Sequence, residues 1–371
     1  MHHPPFCPNP ECCEHWHRAT PAYRWWVCDG HYRSACHGRV RRYRCTNCGR
    51  HFSDATFSLD YFSKRRVNFY RVRSLFTNGS SLRATARQLH VATGAITRRI
   101  MILCRQALAA HAAALEELIV REELVADGFQ SFWVSQFHPN NFNLLTAAES
   151  QYLVSLTQAT LRRSGTMTAA QKERRCLIEA GDRPDPDALV REFSRLMERA
   201  ELLWARVPEE LRALRTDEHS CYPGCLSLCT LPGIRHLRYS SKLPRTRSNP
   251  LFAVNYLDRE IRKDLAEHHR ETVCFARNAA LSTARLWIYL MEHNYSKPYR
   301  ISPQSTITHA EAAGLPGQTV RRIRHGWMTR RAFLSRSRLD HIGRLLWMGA
   351  IPTPERENWI NRRLTPAYCT A

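Results

Sequence analysis

Lysine is scarce in this chain of 371 residues: it occurs at only five positions, although Lys and Arg together number 55. The positive charge is therefore carried almost entirely by arginine, whose planar guanidinium suits phosphate oxygens and guanine edges. Against 33 Asp and Glu, this leaves a formal net charge of +22 and a pI of about 9.9. The balance indicates a polyanion as partner, with double-stranded DNA the first to expect. A genome rich in G and C would produce the same arginine bias.

Long apolar runs and an export signal are also missing from the sequence. No uninterrupted apolar stretch has membrane length, and the N-terminus lacks a basic segment followed by an apolar one. We therefore expect no membrane partner and a soluble intracellular protein. The 14 cysteines should then be reduced, so metal binding rather than disulfide formation explains why they cluster near the N-terminus.

Two tight cysteine knuckles lie in the first fifty residues. Cys7 and Cys12 close the first knuckle, where Cys13 could replace Cys12, and Cys45 and Cys48 close the second. Each knuckle can bring two thiolates to one ion, so the pair predicts a structural zinc site with four cysteine ligands. A metal-free cysteine cluster is the alternative. Little helical periodicity occurs in residues 1–62, which suits a small zinc ribbon held by its metal.

The next segment, 63–118, has the apolar period of three helices. Ser81 can cap one helix, and after a short turn a second helix would begin near Thr93. This arrangement predicts a helix-turn-helix, whereas an ordinary helical hairpin would show the same local pattern. We expect the second helix to direct four polar side chains outward to base edges and phosphates: Thr93, Thr97, Arg98 and Arg99.

Residues 119–300 alternate between strand and helix patterns. A strand is predicted over 122–137, a hairpin pair over 142–148 and 152–161, a helix over 188–203, and a short strand that ends at Thr216. The order of strand, hairpin, helix and strand indicates an α/β ribonuclease-H-like core, although many α/β folds share it.

Carboxylates follow the predicted strands at two places. Asp127 comes after an apolar stretch and before Gly128, and Asp217 follows the short strand. Two acids on neighbouring strands can share two Mg²⁺ ions, which activate an attacking oxygen and stabilise a leaving one in phosphoryl displacement. A later helix usually supplies a third acid. On the helix near 254–261, Asp258 borders the apolar face and is the preferred third ligand, and Glu260, off the opposite edge, is the alternative.

The last segment, 301–371, is basic. Arginines interleave with one tryptophan over 321–331, so we predict contact with the phosphate backbone through Arg321, Arg322 and Arg324. A solvated basic helix would give the same pattern.

Several of these motifs, in this order, resemble those of bacterial insertion-sequence transposases related to the first-described insertion element. The shared features are the cysteine knuckles, the helix-turn-helix, and residues 125–128 (VADG), 216–219 (TDEH) and 270–277 (RETVCFAR). The resemblance covers roughly residues 7 to 300. It implies a transposase of the aspartate-aspartate-glutamate class with a ribonuclease-H-like fold, Mg²⁺ as cofactor and inverted-repeat DNA as substrate. Asp127 and Asp217 match the first two catalytic aspartates.

This sequence departs from the family pattern at the third acid. Counting back from 270–277, the family's glutamate falls on Asn255, and Asp258 stands one turn later where the family tends to have an amide. Either the acid and the amide have exchanged places, or Glu260 is the ligand, or this copy is impaired.

We therefore expect a transposase that cleaves DNA at element ends and joins the freed 3′-OH to target DNA. It would act near the bacterial nucleoid as at least a homodimer, because two ends must be paired. A DNA-binding regulator that has lost catalysis is the alternative. A nuclease that acts on structured DNA without joining is a third possibility.

Overall fold

The computed structural model describes residues 3–17, 23–269, 272, 274–300 and 306–355. The helices in these ranges are α1 (Cys13–Trp16), α2 (Phe69–Thr77), α3 (Leu82–Gln88), α4 (Thr93–Glu117), α5 (Ala169–Gly181), α6 (Ala188–Trp204), α7 (Cys221–Leu226), α8 (Phe252–Asp264), α9 (Ala279–Tyr295), α10 (His309–Ala312), α11 (Gly317–Gly326) and α12 (His341–Met348). The strands are β1 (Trp26–Ser34), β2 (Gly38–Cys45), β3 (His51–Ser53), β4 (Leu124–Phe132), β5 (Pro139–Ala147), β6 (Leu153–Thr160), β7 (Ala213–Thr216) and β8 (Arg235–Arg238). None of the helices described is both long and apolar enough to cross a membrane.

A mixed five-stranded sheet forms the centre of the molecule, with the strand order β6-β5-β4-β7-β8. The β4–β5 and β5–β6 pairs are antiparallel, whereas β7 lies parallel to both β4 and β8. Strands β5 and β6 are buried along nearly their whole length, which requires cover on both faces of the sheet. Helix α6 packs on β5 and β6, and α8 packs on β4 and β5.

The predicted α/β class is confirmed, together with the predicted order of strand, hairpin, helix and strand. The first strand ends at Phe132, earlier than expected. Sequence reasoning missed α5 and β8, and each has a local reason. Helix α5 buries no residue, so it lacks the clear apolar stripe that marks a packed helix. Strand β8 has only four residues, and two of them are exposed arginines.

The N-terminal residues form a separate three-stranded antiparallel sheet, β1-β2-β3. Its small core is aromatic: the Trp25 and Phe52 rings stack at 5.6 Å, and Phe52 also stacks on Tyr43. Phe333, from the C-terminal part of the chain, joins this core and lies 5.0 Å from the ring of Phe6. The N-terminal region is therefore held against the C-terminal part of the protein.

Helices α2, α3 and α4 are the three helices expected after the N-terminal region. The Ser81 Oγ accepts a hydrogen bond from the Ala84 amide at 3.2 Å, and α4 begins at Thr93, both as predicted. Ile96 and Ile100 are fully buried. Helix α4 has 25 residues and packs along α9, so the second helix of the expected helix-turn-helix is also a core helix.

The C-terminal helices α10, α11 and α12 pack against α9, and α11 and α12 also contact α4. Val320, Ile323 and Trp347 belong to the same apolar core as the central sheet. Residues 306–355 are therefore part of the main body. The boundaries proposed at 62, 118 and 300 stay a prediction.

The prediction that Thr97 and Arg99 face outward to DNA is wrong. Both residues are buried, with relative exposures of 7% and 5%. The Arg99 Nη2 donates to the carbonyl of Arg65 at 2.9 Å and lies 3.3 Å from a carboxylate oxygen of Asp60. The Thr97 hydroxyl donates back to the Thr93 carbonyl at 3.2 Å. The segment before α2 covers this side of α4. A local helical pattern in the sequence does not reveal this cover, because the cover arises from tertiary packing.

Replacing Arg99 with alanine should destabilise the protein, because it removes the buried cation that lies 3.3 Å from the half-buried Asp60 carboxylate. We expect a loss of roughly 3 kcal/mol in the free energy of unfolding. Arg98→Ala removes an exposed arginine from the same helix and should change stability by less than about 0.5 kcal/mol. Urea unfolding of both variants measures the difference. Equal stability of the two would contradict the buried ion pair.

Candidate active site and metal centre

The four knuckle cysteines meet at one point in the N-terminal region. Their Sγ atoms all lie within 4.8 Å of one another, with Cys7–Cys48 at 3.6 Å and Cys12–Cys45 at 3.8 Å. A tetrahedral ion with Zn–S bonds of about 2.3 Å places its sulfurs roughly 3.8 Å apart. The donor set and its spacing fit zinc, so this cluster could bind a metal ion of that kind.

Local backbone geometry brings the sulfurs together. In the second knuckle, the Cys45 amide donates to the Arg50 carbonyl at 2.9 Å, and Gly49 adopts a left-handed φ of 72° to close the turn. In the first, the Cys12 amide donates to the Asn9 carbonyl at 3.1 Å. Cys13 is exposed, and its sulfur accepts from Asn47 Nδ2 at 2.6 Å outside the cluster. Cys12 is therefore the fourth member of the cluster.

Burial affects the ionisation of two of these thiols. Burial, together with the neighbouring thiols, raises the pKa of Cys7 and Cys12, and that of Cys12 reaches about 12. Sulfurs held this close need a positive ion to exist as thiolates at neutral pH.

The two predicted catalytic aspartates lie on neighbouring strands of the central sheet. Strands β4 and β7 pair in parallel, with Leu124 opposite Leu214. Asp127 and Asp217 each follow their paired leucine by three residues, so both lie at the same edge of the sheet. Their carboxylates are anchored by backbone amides: Gly128 donates to Asp127 at 2.7 Å, and His219 donates to Asp217 at 2.9 Å.

Gly128 is needed beside Asp127 because the neighbouring strand comes very close. A Cβ atom at this position would collide with the side chain of Asn141 on β5. The close-approach glycine expected from the sequence is therefore confirmed.

Asp258, on α8, supplies a third negative charge to this edge. The pKa of Asp127 is raised to about 7: burial is the main cause, the charges of Asp217 and Asp258 add to it, and the Gly128 amide and Arg245 oppose it. The charges of Asp217 and Asp258 therefore disfavour ionisation of Asp127, and a bound cation would relieve that repulsion.

Glu260, the alternative third acid, makes its ion pairs elsewhere. Its carboxylate accepts from Lys263 Nζ at 2.9 Å and lies 3.7 Å from Lys297 Nζ. Asp258, by contrast, is among the charges that raise the pKa of Asp127. Of the two acids, Asp258 is therefore the one whose charge acts on Asp127, and its role as third ligand stays a prediction.

Arginines surround Asp258. Its carboxylate accepts from Arg262 Nε at 2.6 Å. Beside it lies a cavity of about 320 Å³, which is lined by Arg245, Phe252, Asn255, Tyr256, Asp258, Arg259 and Arg262. The carboxylates at the sheet edge thus lie next to three guanidiniums. This arrangement suits the binding of a phosphodiester, whose oxygens would contact the arginines.

Sequence reasoning missed these three arginines. Arg259 and Arg262 lie one and four residues after Asp258, so helical spacing could have identified them. Arg245 lies in the exposed segment between β8 and α8, where no local pattern marks it.

The remaining predicted DNA contacts differ in accessibility. Thr93 and Arg98 are exposed. They border a cavity of about 860 Å³ between α3, the start of α4 and the segment before α2, whose basic lining consists of Lys64, Arg65, Arg83, Arg87, His90, Arg98 and Arg99. On α11, Arg321 and Arg324 are exposed, whereas Arg322 pairs with Glu117 at 2.5 Å.

Removing one knuckle should release the metal. The Cys45→Ser, Cys48→Ser double variant loses two of the four thiolates, so the purified protein should contain no stoichiometric zinc. Cys13→Ser is the matched control because Cys13 lies next to the cluster but outside it, and this variant should keep about one zinc per chain. The metal content of both purified variants, measured by mass spectrometry, tests this prediction. Unchanged zinc in the double variant, or zinc loss in the control, would contradict the assigned ligand set.

No protein-family model matches this chain, and no curated protein is significantly similar to it. The activity must therefore be argued from the site: paired aspartates on parallel strands, a third aspartate on α8, and arginines beside them.

Proposed function

We propose that this protein is a DNA transposase of the aspartate-aspartate-glutamate class, with Asp258 as its third acid. The observation that carries the proposal is the placement of Asp127 and Asp217 at one edge of the central sheet, with Asp258 on α8 near enough for its charge to act on Asp127. The strand order β6-β5-β4-β7-β8, with an antiparallel hairpin followed by parallel strands, supports a ribonuclease-H-like core.

The three aspartates fit divalent cations by their chemistry, because hard oxygen ligands on a crowded, partly buried edge suit Mg²⁺. When bound, two such ions activate the attacking oxygen and stabilise the leaving oxygen of a phosphodiester. The side chains Asp127, Asp217 and Asp258 would hold them. Arg245 and Arg259 would contact the phosphate oxygens and fix the DNA strand in line with the attack.

The proposed reaction has two displacements at phosphorus. In the first, the oxygen of water bonds to a phosphorus at the element end, the P–O3′ bond breaks, and a 3′-OH is released with a 5′-phosphate on the other side. In the second, that 3′-OH attacks a target phosphodiester and displaces another 3′ oxygen. One ester bond forms for each that breaks, so joining needs no external energy source.

The rest of the chain supplies DNA-binding surfaces for this reaction. The net charge of +22 favours a polyanion, and the exposed Thr93 and Arg98 lie at the start of α4, where a recognition helix would meet base edges. The four-cysteine cluster would stabilise the small N-terminal region in which it lies. Pairing two element ends would require at least a homodimer.

A DNA-binding regulator without catalysis is the second candidate. Two observations favour it. Arg262 already donates a hydrogen bond to the Asp258 carboxylate, and Asn255 stands where the family carries its glutamate. Such a protein would keep its DNA contacts and would leave the DNA intact.

The third acid gives the sharpest test of the proposal. Asp258→Asn keeps the side-chain shape and removes the charge that helps hold a divalent ion. Cleavage should fall by about three orders of magnitude or more, while binding to the same DNA persists. Glu260→Gln is the matched control on the same helix, and it should reduce cleavage far less, because Glu260 pairs with lysines away from the aspartates.

The assay uses the DNA that flanks the protein's own gene, with Mg²⁺ or Mn²⁺, and sequencing of the products for joined ends. Loss of cleavage in Glu260→Gln but not in Asp258→Asn would make the glutamate the third ligand. Intact DNA with the wild-type protein, despite binding, would favour the regulator. Cut but never joined DNA would favour a nuclease.

A further inference from the structure

The turn between α3 and α4 has a specific hydrogen-bond pattern. The Val91 amide donates to the Ala86 carbonyl at 3.0 Å, and the His90 amide donates to the Arg87 carbonyl at 3.2 Å. His90 adopts the left-handed backbone conformation, with φ of 51°. The chain leaves α3 through this residue and enters α4 three residues later, at Thr93.

The same helix-ending pattern, which also closes α2 at Gly79 and α12 at Gly349, occurs between α10 and α11 near the C-terminus. The Leu315 amide donates to the Ala310 carbonyl at 3.0 Å, and the Gly314 amide donates to the Glu311 carbonyl at 3.1 Å. Gly314 has a left-handed φ of 102°, at the position that corresponds to His90. Each hydrogen-bonded residue lies at a constant offset from its counterpart in the first turn.

The buried positions agree as well. Ala86 and its counterpart Ala310 are both buried, and a small residue at this point lets the two helices cross closely. In the second helices, Ile96 and its counterpart Val320 are both buried. The two units therefore share the turn, the crossing and the inward face of a helix-turn-helix. Sequence periodicity alone missed the second unit because α10 has only four residues.

The outward face of α11 is basic. Arg321, Arg324 and His325 are exposed, and within the described part of the chain Arg321 and Arg324 form no salt bridge. Val320 and Ile323 fill the opposite face. The helix has 10 residues, so it is about 15 Å long and could enter a major groove.

The second unit is fixed at the far end of α4 from the first. The Thr319 hydroxyl donates to Glu117 Oε2 at 2.8 Å, and Arg322 pairs with the other oxygen of the same carboxylate. Glu117 is the last residue of α4, whereas Thr93 begins it. These 25 residues span about 36 Å, which is close to one turn of B-DNA, roughly 34–36 Å.

We propose that residues 308–326 form a second helix-turn-helix that binds duplex DNA through Arg321 and Arg324 on α11. One chain would then contact two sites about one helical turn apart, the first through the start of α4 and the second through α11. This inference deepens the DNA-binding part of the proposed function, and it rests on that part alone.

Binding by the full-length protein tests the inference. The probe is a duplex of about four helical turns, roughly 40 bp, in buffer without added divalent cation, so that cleavage plays no part. The Arg321→Ala, Arg324→Ala double variant should bind about 10-fold or more weakly. The slope of log Kd against log salt should become shallower by about 2, since each lost phosphate contact contributes roughly 0.9.

The matched control is the Lys172→Ala, Arg174→Ala double variant, which removes the same charge from exposed positions on α5. It should keep the wild-type affinity and slope. Footprinting of the wild-type protein on selected duplexes should show two protected blocks about one turn apart, and the α11 variant should lose one of them. An α11 variant that matches the control in affinity, slope and footprint would overturn the second unit. A failure of cleavage with Mg²⁺ leaves these binding results unaffected and counts only against the transposase.

Discussion

The packing of α4 along α9 is the interaction on which the arrangement of this molecule depends. Ile96, Ile100 and Leu103 on α4 are fully buried, and each such side chain stabilises the fold by about 1.5–3 kcal/mol. Because the start of α4 is also the second helix of the first helix-turn-helix, the same burial fixes that unit relative to the sheet. At its other end, Glu117 holds α11. One rigid helix therefore sets the distance between the proposed DNA-binding units.

Two clusters of like groups are built into this frame, and each calls for a cation. At the N-terminus, four sulfurs lie within 4.8 Å of one another, and burial opposes the ionisation of Cys7 and Cys12. At the sheet edge, burial and the charges of Asp217 and Asp258 raise the pKa of Asp127 to about 7. The clusters differ in donor chemistry: soft thiolates suit a structural zinc ion, and hard oxygens suit magnesium. This difference is the basis for proposing a role in folding for the first cluster and a role in chemistry at phosphorus for the second.

Much of this arrangement could be predicted from the sequence. The cysteine ligand set followed from spacing, the cap at Ser81 and the start of α4 from local chemistry, and the aspartates at the sheet edge from the apolar stretches before them. Three kinds of feature could not be predicted in this way. The burial of Thr97 and Arg99 depends on a segment that reaches α4 through tertiary packing. Arg245 reaches the carboxylates from an irregular segment. The second unit is recognisable only when its turn at Gly314 and its buried residues Ala310 and Val320 are compared with those around His90.

The claim that three aspartates form one metal site is central, and a crystal structure of the protein soaked in Mn²⁺ tests it most directly. The account predicts anomalous peaks at the sheet edge, within about 2.0–2.4 Å of carboxylate oxygens from Asp127, Asp217 and Asp258. Arg262 should then have moved away from the Asp258 oxygen that it now contacts. Manganese bound without Asp258, or no peak at this edge while Arg262 keeps its place, would contradict the account.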